Sequence, residues 1–403
     1  MSPSFKSLAV AATLAASLLV ESVAAAGWDP NSRSMTAVYW GQNGGASVDP
    51  TKQENLLTTC QNKDIDIVVV SFVTKFKGKS NYPIINLSNQ CGGYLPLAED
   101  RKKNTDILNC PDIGTMITEC QKVHGKKVLL SLGGATYQDK GWASPADARS
   151  SANEIWAMFG YYKGAPFKYR PFGDAVVDGF DLDFEFAANK PNTNIFAQQL
   201  RNLYAQDKTG RQYLLTAAPQ CPHPDAALDQ ALTTVPFDAI FIQFYNNDCG
   251  VASWDPKKAQ TSSLSFNLQM WQTWATTKSA NKRIKLFVGL LAGGIKPATG
   301  YVSAAQASKI LKDSVVRFPN FGGASFWDAS ILKINSSYLR NVRKTLLENT
   351  PKKRDLQSHE IRHPVGGPAT YAADDFVEVK TAVEPIRRRR HFHHHRRSSG
   401  MMP

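Results

Sequence analysis

The chain has 403 residues, 42% of them hydrophobic, six cysteines and a formal net charge of +13. No two cysteines have the Cys-x-x-Cys spacing, and no cysteines and histidines are grouped as zinc requires, so we expect no metal site and no cofactor. The positive charge favours weak contact with anionic polymers or lipids, whereas the export signal described next argues against nucleic acid as a partner.

Residues 1–26 have the pattern of a secretory signal peptide. Lys6 supplies a positive charge, Leu8 to Val20 is apolar, and Ala24-Ala25-Ala26 has the small side chains of a cleavage site. The apolar run is too short to span a bilayer, and a membrane anchor is the alternative interpretation. We therefore expect a secreted protein, extracellular or associated with a cell wall, whose cysteines form disulfides. Composition alone leaves their pairing open.

Residues 27–350 contain eight short, apolar, β-branched runs that alternate with segments of helical periodicity. This alternation predicts an α/β fold, a (β/α)8 TIM barrel with its active site at the carboxyl ends of the strands. We expect this barrel to be a monomer. The predicted strands are 35–40, 65–73, 127–133, 176–185, 213–219, 237–245, 284–291 and 322–327.

The fourth predicted strand carries the stretch Asp178-Gly179-Phe180-Asp181-Leu182-Asp183-Phe184-Glu185. Side chains alternate between the two faces of a strand, so Asp181, Asp183 and Glu185 share one face at spacings of about 6 to 7 Å. Carboxylates held this close cannot all ionise easily, so at least one keeps its proton near neutral pH. A retained carboxyl proton is a general acid.

Two simpler interpretations of this stretch are an exposed amphipathic strand and a calcium or magnesium site. The opposite face is bulky and aromatic, and Gly179 allows another segment to approach the backbone, which disfavours exposure. Ligands of hard cations usually come from a loop that wraps the ion, and a straight strand cannot do so. Asp178 lies on the other face and is expected to brace the beginning of the strand.

The pattern Asp-x-x-Asp-x-Asp-x-Glu resembles the catalytic signature of the family-eighteen glycoside hydrolases, and the chain looks like their hevamine-like (class III) chitinases of plants and fungi. Ser131-Leu132-Gly133-Gly134 and Trp327 match further family motifs, as do the ends of the first, fifth and sixth strands. Thr74 departs from the family, where Asn is frequent, which puts one sugar contact in doubt. The resemblance extends from Thr36 to about Leu347.

The resemblance implies hydrolysis of chitin, a β-1,4-linked N-acetylglucosamine polymer, with retained configuration and the substrate's acetamido group as nucleophile. Glu185 would protonate the glycosidic oxygen, Asp183 would orient the acetamido N–H, and Tyr245 would bind its carbonyl oxygen. Asp181 would share a proton with Asp183. The residues expected to bind sugar are Tyr39, Gln42, Asp181, Gln243, Asn246 and Trp327.

The same resemblance implies several covalent features. The expected disulfides are Cys60 with Cys120, Cys91 with Cys110, and Cys221 with Cys249. The peptide bonds Ser71-Phe72 and Trp327-Asp328 are expected to be cis. Independently of the resemblance, Asn86-Leu87-Ser88 and Asn335-Ser336-Ser337 are candidate N-glycosylation sites.

Residues 351–403 differ in composition from the barrel region. Gly, Pro and charged residues replace apolar periodicity, and the segment contains a run of four arginines, Arg387 to Arg390. This composition predicts a basic, disordered tail that contacts anionic wall polymers or membrane surfaces weakly.

Two other functions are compatible with the same barrel, because a fold does not determine an activity. One is an inactive, lectin-like or inhibitory sugar-binding protein, and the other is an endo-β-N-acetylglucosaminidase acting on N-linked glycans. Lectin-like relatives typically lose the acid at the position of Glu185, whereas this chain keeps it together with Asp183 and Tyr245. Product analysis on chitin oligomers and on a glycoprotein distinguishes a chitinase from an endo-β-N-acetylglucosaminidase.

Overall fold

The computed structural model describes residues 27–100 and 102–351. Eight parallel strands form a closed barrel, because the first strand pairs with both the second and the last. The predicted (β/α)8 barrel is therefore confirmed, with strand ends that differ by a few residues from the prediction. The barrel strands are Met35–Trp40, Ile67–Lys75, Lys127–Gly133, Gly179–Asp183, Leu214–Ala217, Ala239–Gln243, Lys285–Leu291 and Phe321–Trp327.

Helices between successive strands surround the barrel. The α-helices are Leu56–Gln61, Pro111–Lys122, Pro145–Phe159, Thr193–Gln206, Asp229–Thr234, Leu268–Thr277, Ala304–Arg317, Ala329–Ile334 and Ser337–Asn349. Short 3-10 helices span Pro50–Lys52, Ser88–Gln90, Ala187–Asn189 and Val251–Ser253. Helices Pro145–Phe159 and Ala304–Arg317 begin at serine caps, since Ser144 and Ser303 each accept a hydrogen bond from a backbone N–H of the first turn.

The alternation of side chains along the strands divides the apolar core into two layers. Phe180 and Leu182 belong to the large cluster between the strands and the helices. Tyr39, Phe241 and Phe287 belong to the smaller cluster inside the barrel. Residues that alternate with the outward-facing set must point inward, so the fold directs the acidic face of the fourth strand into the barrel.

An excursion over residues 76–110 follows the second strand and was not predicted. Ile84–Ile85 pairs antiparallel with the second strand, and Tyr94–Pro96 pairs with Asn104–Leu108 in a separate two-stranded ladder. These strands have two to five residues, which is too few for a periodic pattern to distinguish them from a loop.

Three disulfides connect loops and helices around the barrel, with the pairing that the resemblance implies. They join Cys60 to Cys120, Cys91 to Cys110, and Cys221 to Cys249. Within the described residues no cysteine is free. The two expected cis peptide bonds, Ser71-Phe72 and Trp327-Asp328, are also present.

The predicted signal peptide, residues 1–26, lies outside the described residues, as does the predicted tail beyond Pro351. In the part of the chain that the structure describes, no helix has both the length and the apolar character needed to cross a membrane.

A buried ion pair joins the last helix to the beginning of the second strand. Arg343 Nη1 and Nη2 donate to the two carboxylate oxygens of Asp66, at 2.6 and 3.2 Å. The same carboxylate accepts a hydrogen bond from the backbone N–H of Thr36 at 2.8 Å. Removing the arginine would leave a buried carboxylate without its counter-charge.

We expect Arg343→Ala to lower the free energy of unfolding by about 3 kcal/mol, as for other broken buried pairs, in urea denaturation. Lys344→Ala is the matched control, because it removes an exposed pair with Glu348 on the same helix. Exposed pairs contribute less than about 1 kcal/mol. Equal losses in the two variants would show that burial of the Asp66 pair has no special effect.

Candidate active site

The fourth strand delivers two carboxyl groups into the barrel. Asp181 and Asp183 are 0% and 4% exposed. Gly179 has a φ of +142°, and a Cβ there would lie 1.8 Å from the carbonyl oxygen of Leu214, so only glycine fits beside the fifth strand. The strand ends at Asp183, and Glu185 lies two residues beyond, at the barrel face where active sites occur. The predicted strand, residues 176–185, was therefore too long at both ends.

Asp178 has the expected bracing role at the beginning of this strand. Its Oδ2 accepts hydrogen bonds from Gln121 Nε2 at 2.8 Å and from the backbone N–H of Val128 at 2.9 Å. Lys127 and Arg211 lie 3.7 and 3.6 Å from its Oδ1. These contacts join the fourth strand to the third and to the helix before it.

Asp181 lies deeper in the barrel than Asp183 and Glu185 and accepts hydrogen bonds on both carboxylate oxygens. Its Oδ2 accepts from Tyr39 Oη at 3.0 Å and Ser131 Oγ at 2.7 Å, and its Oδ1 accepts from Thr216 Oγ1 at 2.7 Å. Burial raises the pKa of Asp181, and the three hydroxyl donors oppose that rise. Asp181 is therefore fixed by hydrogen bonds and lies beneath the other two acids.

Two sequence-based predictions concern Asp181 and its neighbours. Tyr39 donates to Asp181, and neither residue lines the cavity over Asp183 and Glu185, so their contact with sugar stays a prediction. The described residues also contain no hydrogen bond between Asp181 and Asp183, so the predicted shared proton has no direct contact to support it. The charge of Asp181 instead acts through space and raises the pKa of Asp183.

Asp183 and Glu185 are linked by the side-chain amide of Gln243. Gln243 Nε2 donates to Asp183 Oδ1 at 2.9 Å and lies 3.4 Å from Glu185 Oε1. Burial, followed by the charge of Glu185, raises the pKa of Asp183 well above its usual value. Burial also raises the pKa of Glu185. The pair therefore keeps a proton at a pH where ordinary carboxyl groups have lost theirs, as general-acid catalysis requires.

A cavity of about 310 Å³ opens over these two acids. Six of the predicted site residues line it: Asp183, Glu185, Gln243, Tyr245, Asn246 and Trp327. Gln42 does not, because its Nε2 donates to the backbone carbonyls of Ser71 and Asn86, both at 2.8 Å. Gln42 therefore links the segment after the first strand to the second strand and to the segment that follows it, and its sugar contact stays a prediction.

Two aromatic side chains give this cavity its shape. The Trp327 indole stacks on Phe72, with ring centroids 5.9 Å apart and an interplanar angle of 18°. Tyr245 is 9% exposed, and burial together with the charges of Asp183 and Glu185 raises its pKa well above the usual value. The phenol therefore stays protonated and can donate a hydrogen bond to a ligand oxygen.

Some residues of the cavity were not predicted. Phe72 and the loop 293–298, including Lys296, line it. The loop follows the seventh barrel strand, and the rule that barrel sites are built from such loops could have identified it. No motif pointed to Phe72 as a wall of the site.

Asp225 is a further acid that was not predicted. Its side chain accepts hydrogen bonds from the backbone N–H groups of Gln220, Ala227 and Leu228 at 2.7 to 2.9 Å. Gln220 Nε2 in turn donates to the carbonyl oxygen of Glu185 at 3.3 Å. Asp225 thus holds the loop that supports Glu185, and its charge contributes to the raised pKa values of Asp183 and Glu185.

Comparisons with known proteins agree with this geometry. The family model of glycosyl hydrolases family 18 matches residues 35–307. Endochitinase 33 of Trichoderma harzianum is 39% identical over 333 residues, which cover 83% of this chain and 98% of that protein.

Solved structures share the barrel. The ICChI chitinase from Ipomoea carnea is 29% identical with a TM-score of 0.58, over 77% of this chain and 99% of that one. The xylanase-alpha-amylase inhibitor protein XAIP-I, in complex with trehalose, is 26% identical with a TM-score of 0.59, over 79% of this chain and 100% of that one. The family match spans more than half of the sequence and includes the acidic strand and its neighbours. The chain belongs to family 18 of the glycosyl hydrolases.

Proposed function

We propose that this chain is a secreted endochitinase that hydrolyses β-1,4-linked N-acetylglucosamine polymers with retention of configuration. The observation that carries the proposal is one cavity in which two acids with raised pKa values, the buried Asp183 and the partly buried Glu185, meet Tyr245 and Trp327. Endochitinase 33 of Trichoderma harzianum, named for this activity, is similar to this chain over nearly its whole length.

In the proposed first step, protonated Glu185 gives its proton to the glycosidic oxygen as the bond to the anomeric carbon breaks. The carbonyl oxygen of the sugar's own 2-acetamido group attacks that carbon from the opposite face and forms an oxazolinium ion. A second attack, by water that loses a proton to the Glu185 carboxylate, opens this ion. Two displacements at one carbon restore the original configuration.

Asp183 has the complementary role in this mechanism. When Glu185 is protonated, its charge no longer raises the pKa of Asp183, so Asp183 ionises more readily. The Asp183 carboxylate then accepts a hydrogen bond from the acetamido N–H and balances the positive charge that develops on the ring. Asp181, bonded to three hydroxyl groups, supports it from below.

Tyr245 and Trp327 position the reacting sugar. The protonated phenol of Tyr245 donates a hydrogen bond to the acetamido carbonyl oxygen and directs it at the anomeric carbon. Trp327 offers a flat apolar face to the pyranose ring, and its stacking on Phe72 fixes the orientation of that face.

The experiment that tests the proposal is product analysis with the hexamer of N-acetylglucosamine and, in parallel, an N-glycosylated protein. We expect cleavage of internal bonds of the hexamer and no release of glycan. Glycan release without hexamer cleavage would indicate an endo-β-N-acetylglucosaminidase. Binding of the hexamer without cleavage would indicate a sugar-binding barrel.

The second candidate is a sugar-binding or inhibitory protein, and XAIP-I, named as an inhibitor, shares the barrel. Two features favour the enzyme. Glu185 lines the cavity with a raised pKa, and Gln243 joins it to Asp183. A binding protein has no need of a retained proton at this position.

Replacing Asp225 by asparagine should move the alkaline limb of the kcat/KM profile to lower pH. The charge of Asp225 adds to burial in raising the pKa of Glu185, so its removal lowers that pKa. Because Glu185 must be protonated to act, activity is lost as pH rises through its pKa. Initial rates on the hexamer at several pH values measure the shift. Asp229→Asn on the following helix is the control, and an unmoved limb in Asp225→Asn would contradict the assignment.

Of the two glycosylation candidates, we propose that Asn86 and not Asn335 carries a glycan in the secreted protein. Asn86 is exposed. Asn335 is half-buried and its Nδ2 already donates to the carbonyl oxygen of Ala292 at 2.9 Å. Peptide masses before and after enzymatic deglycosylation test this, with Asn86→Gln and Asn335→Gln as matched variants. A glycan on Asn335 would contradict it.

A further inference from the structure

A second cavity, of about 1290 Å³, lies in the excursion over residues 76–110 and is larger than the catalytic cavity. No residue lines both cavities. Its walls come from Thr74 on the second barrel strand, from residues between 79 and 100 and between 104 and 108, from Glu154 on the helix Pro145–Phe159, and from residues 168 and 169. We refer to it as the side cavity.

We propose that the side cavity binds an oligosaccharide of β-1,4-linked N-acetylglucosamine. The inference rests on the proposed function for the identity of the sugar, and on the side cavity's own residues for the existence of the site. This oligosaccharide has two possible sources. One is a chitin chain, and the other is the first sugars of a glycan attached to Asn86, which lies in the wall.

Tyrosine rings give the side cavity the flat apolar surfaces that sugar rings contact. Tyr94 is 51% exposed and lies in the wall. Tyr82 and Tyr169 also line it, with ring centroids 5.0 Å apart, and Phe167 packs 5.5 Å from Tyr82. Two of the rings are therefore held by packing, and the third is available to a ligand.

The charges of the side cavity suit an uncharged ligand. Lys79 and Lys168 face a wall that also contains Glu99, Asp106 and Glu154. Two cations against three anions leave no excess of positive charge, which disfavours phosphate or another anion. Neutral, hydroxyl-rich chains with apolar ring faces fit a polar wall that contains exposed tyrosine.

A disulfide, a strand pair and hydrogen bonds brace the wall of the side cavity. The Cys91–Cys110 disulfide closes the excursion, and the strands Tyr94–Pro96 and Asn104–Leu108 pair across it. Asp106 accepts hydrogen bonds from the backbone N–H groups of Lys79 and Ser80. A wall ordered in advance loses less conformational entropy on binding.

Backbone hydrogen bonds join a residue of the side cavity to a residue of the catalytic cavity. Phe72, which lines the catalytic cavity, exchanges two backbone hydrogen bonds with Asn86, which lines the side cavity, at 3.0 and 2.9 Å. A polymer long enough to cross the backbone between Phe72 and Asn86 could occupy both cavities. We therefore expect the side cavity to matter for the polymer and not for short oligomers.

The test measures binding of the full chain to insoluble chitin in a Glu185→Gln background, where turnover is expected to be about 10²- to 10⁴-fold slower. We expect Tyr94→Ala to weaken binding by about three- to tenfold, as for loss of one aromatic contact, and Tyr94→Phe to restore it. Tyr161→Ala, which removes a partly exposed tyrosine outside the side cavity, is the control. Thermal melting verifies that each variant is folded.

The source of the sugar is decided by a second arm in the Asn86→Gln background. If Tyr94→Ala weakens chitin binding there, the ligand is the polymer. If Tyr94→Ala instead speeds enzymatic release of the glycan from Asn86 in the glycosylated protein, the ligand is the chain's own glycan. If neither changes, the side cavity is not a sugar site. Wild-type cleavage of the soluble hexamer, measured in parallel, reports separately on the proposed function.

Discussion

Replacing Glu185 by glutamine is expected to lower kcat on the N-acetylglucosamine hexamer by about 10²- to 10⁴-fold, the usual contribution of a general acid. Glutamine has nearly the shape of glutamic acid but has no acidic proton to give to the leaving oxygen. The side chain lines the cavity, so the substitution preserves the wall that the sugar contacts. Binding of the hexamer, measured by calorimetry, should therefore stay close to that of the wild type.

The matched control is Glu119→Gln, the same chemical change on the helix Pro111–Lys122. Glu119 does not line the catalytic cavity, so its kcat should equal that of the wild type. A Glu185→Gln variant that cleaves the hexamer at near wild-type rate would show that another group supplies the proton.

Asp183→Asn is expected to lower kcat by about 10²- to 10³-fold, comparable to the loss of one group that stabilises a transition state. Asparagine cannot balance the positive charge of the oxazolinium ion. Its amide is also not guaranteed to present an acceptor to the acetamido N–H. The loss should appear in kcat more than in KM, since the charge develops only as the bond breaks.

The same substitution should stabilise the fold at neutral pH. Burial, Glu185 and Asp181 raise the pKa of Asp183 well above its usual value, so over that interval the folded state binds more protons than the unfolded state. Stability is therefore fully present below the ordinary pKa and is lost as pH rises through the raised one. Asparagine does not titrate, so Asp183→Asn should melt higher than the wild type at pH 7, and this advantage should vanish in acid.

Melting curves at neutral and acidic pH measure this difference. Asp112→Asn, at an exposed position on the second helix, should leave the pH dependence unchanged. A melting temperature of Asp183→Asn below that of the wild type at pH 7 would contradict the raised pKa. An active site that gains stability when its acid is removed is one whose arrangement serves catalysis at the expense of folding.

The parts of the fold that were predicted correctly are those with a long repeated pattern. Eight apolar runs separated by helical periodicity identified the barrel, and the two-residue period of the fourth strand placed Asp181 and Asp183 on its inner face. Active-site residues of a barrel lie at or just after the carboxyl ends of its strands. Glu185 could therefore be placed near that face although its strand was predicted to be too long.

The remaining features depend on how far a side chain lies below the cavity and on contacts between segments that are distant in the sequence. No periodic pattern in a single sequence reports either of them. Asp181 and Tyr39 have suitable side chains for sugar contact but do not line the catalytic cavity. Gln42 donates to one backbone carbonyl of the second strand and to one of the segment that follows it. Asp225 reaches Glu185 through a loop that follows the next strand, and no spacing rule connects the two.

The excursion over residues 76–110 illustrates the same limit. Its strands are short and its order depends on a disulfide, on Asp106 and on packing between Tyr82 and Tyr169. None of these contacts produces a hydrophobic period. The largest cavity among those described for this chain is therefore built by the segment in which sequence patterns are weakest.

The most direct measurement of the central claim is proton NMR of the hexamer during its first minutes of hydrolysis, before the anomers equilibrate. Attack by the substrate's own acetamido group followed by attack of water predicts that the new reducing ends appear first as the β anomer. Initial formation of the α anomer would mean a single displacement by water, and would contradict the roles assigned to Asp183, Glu185 and the acetamido group.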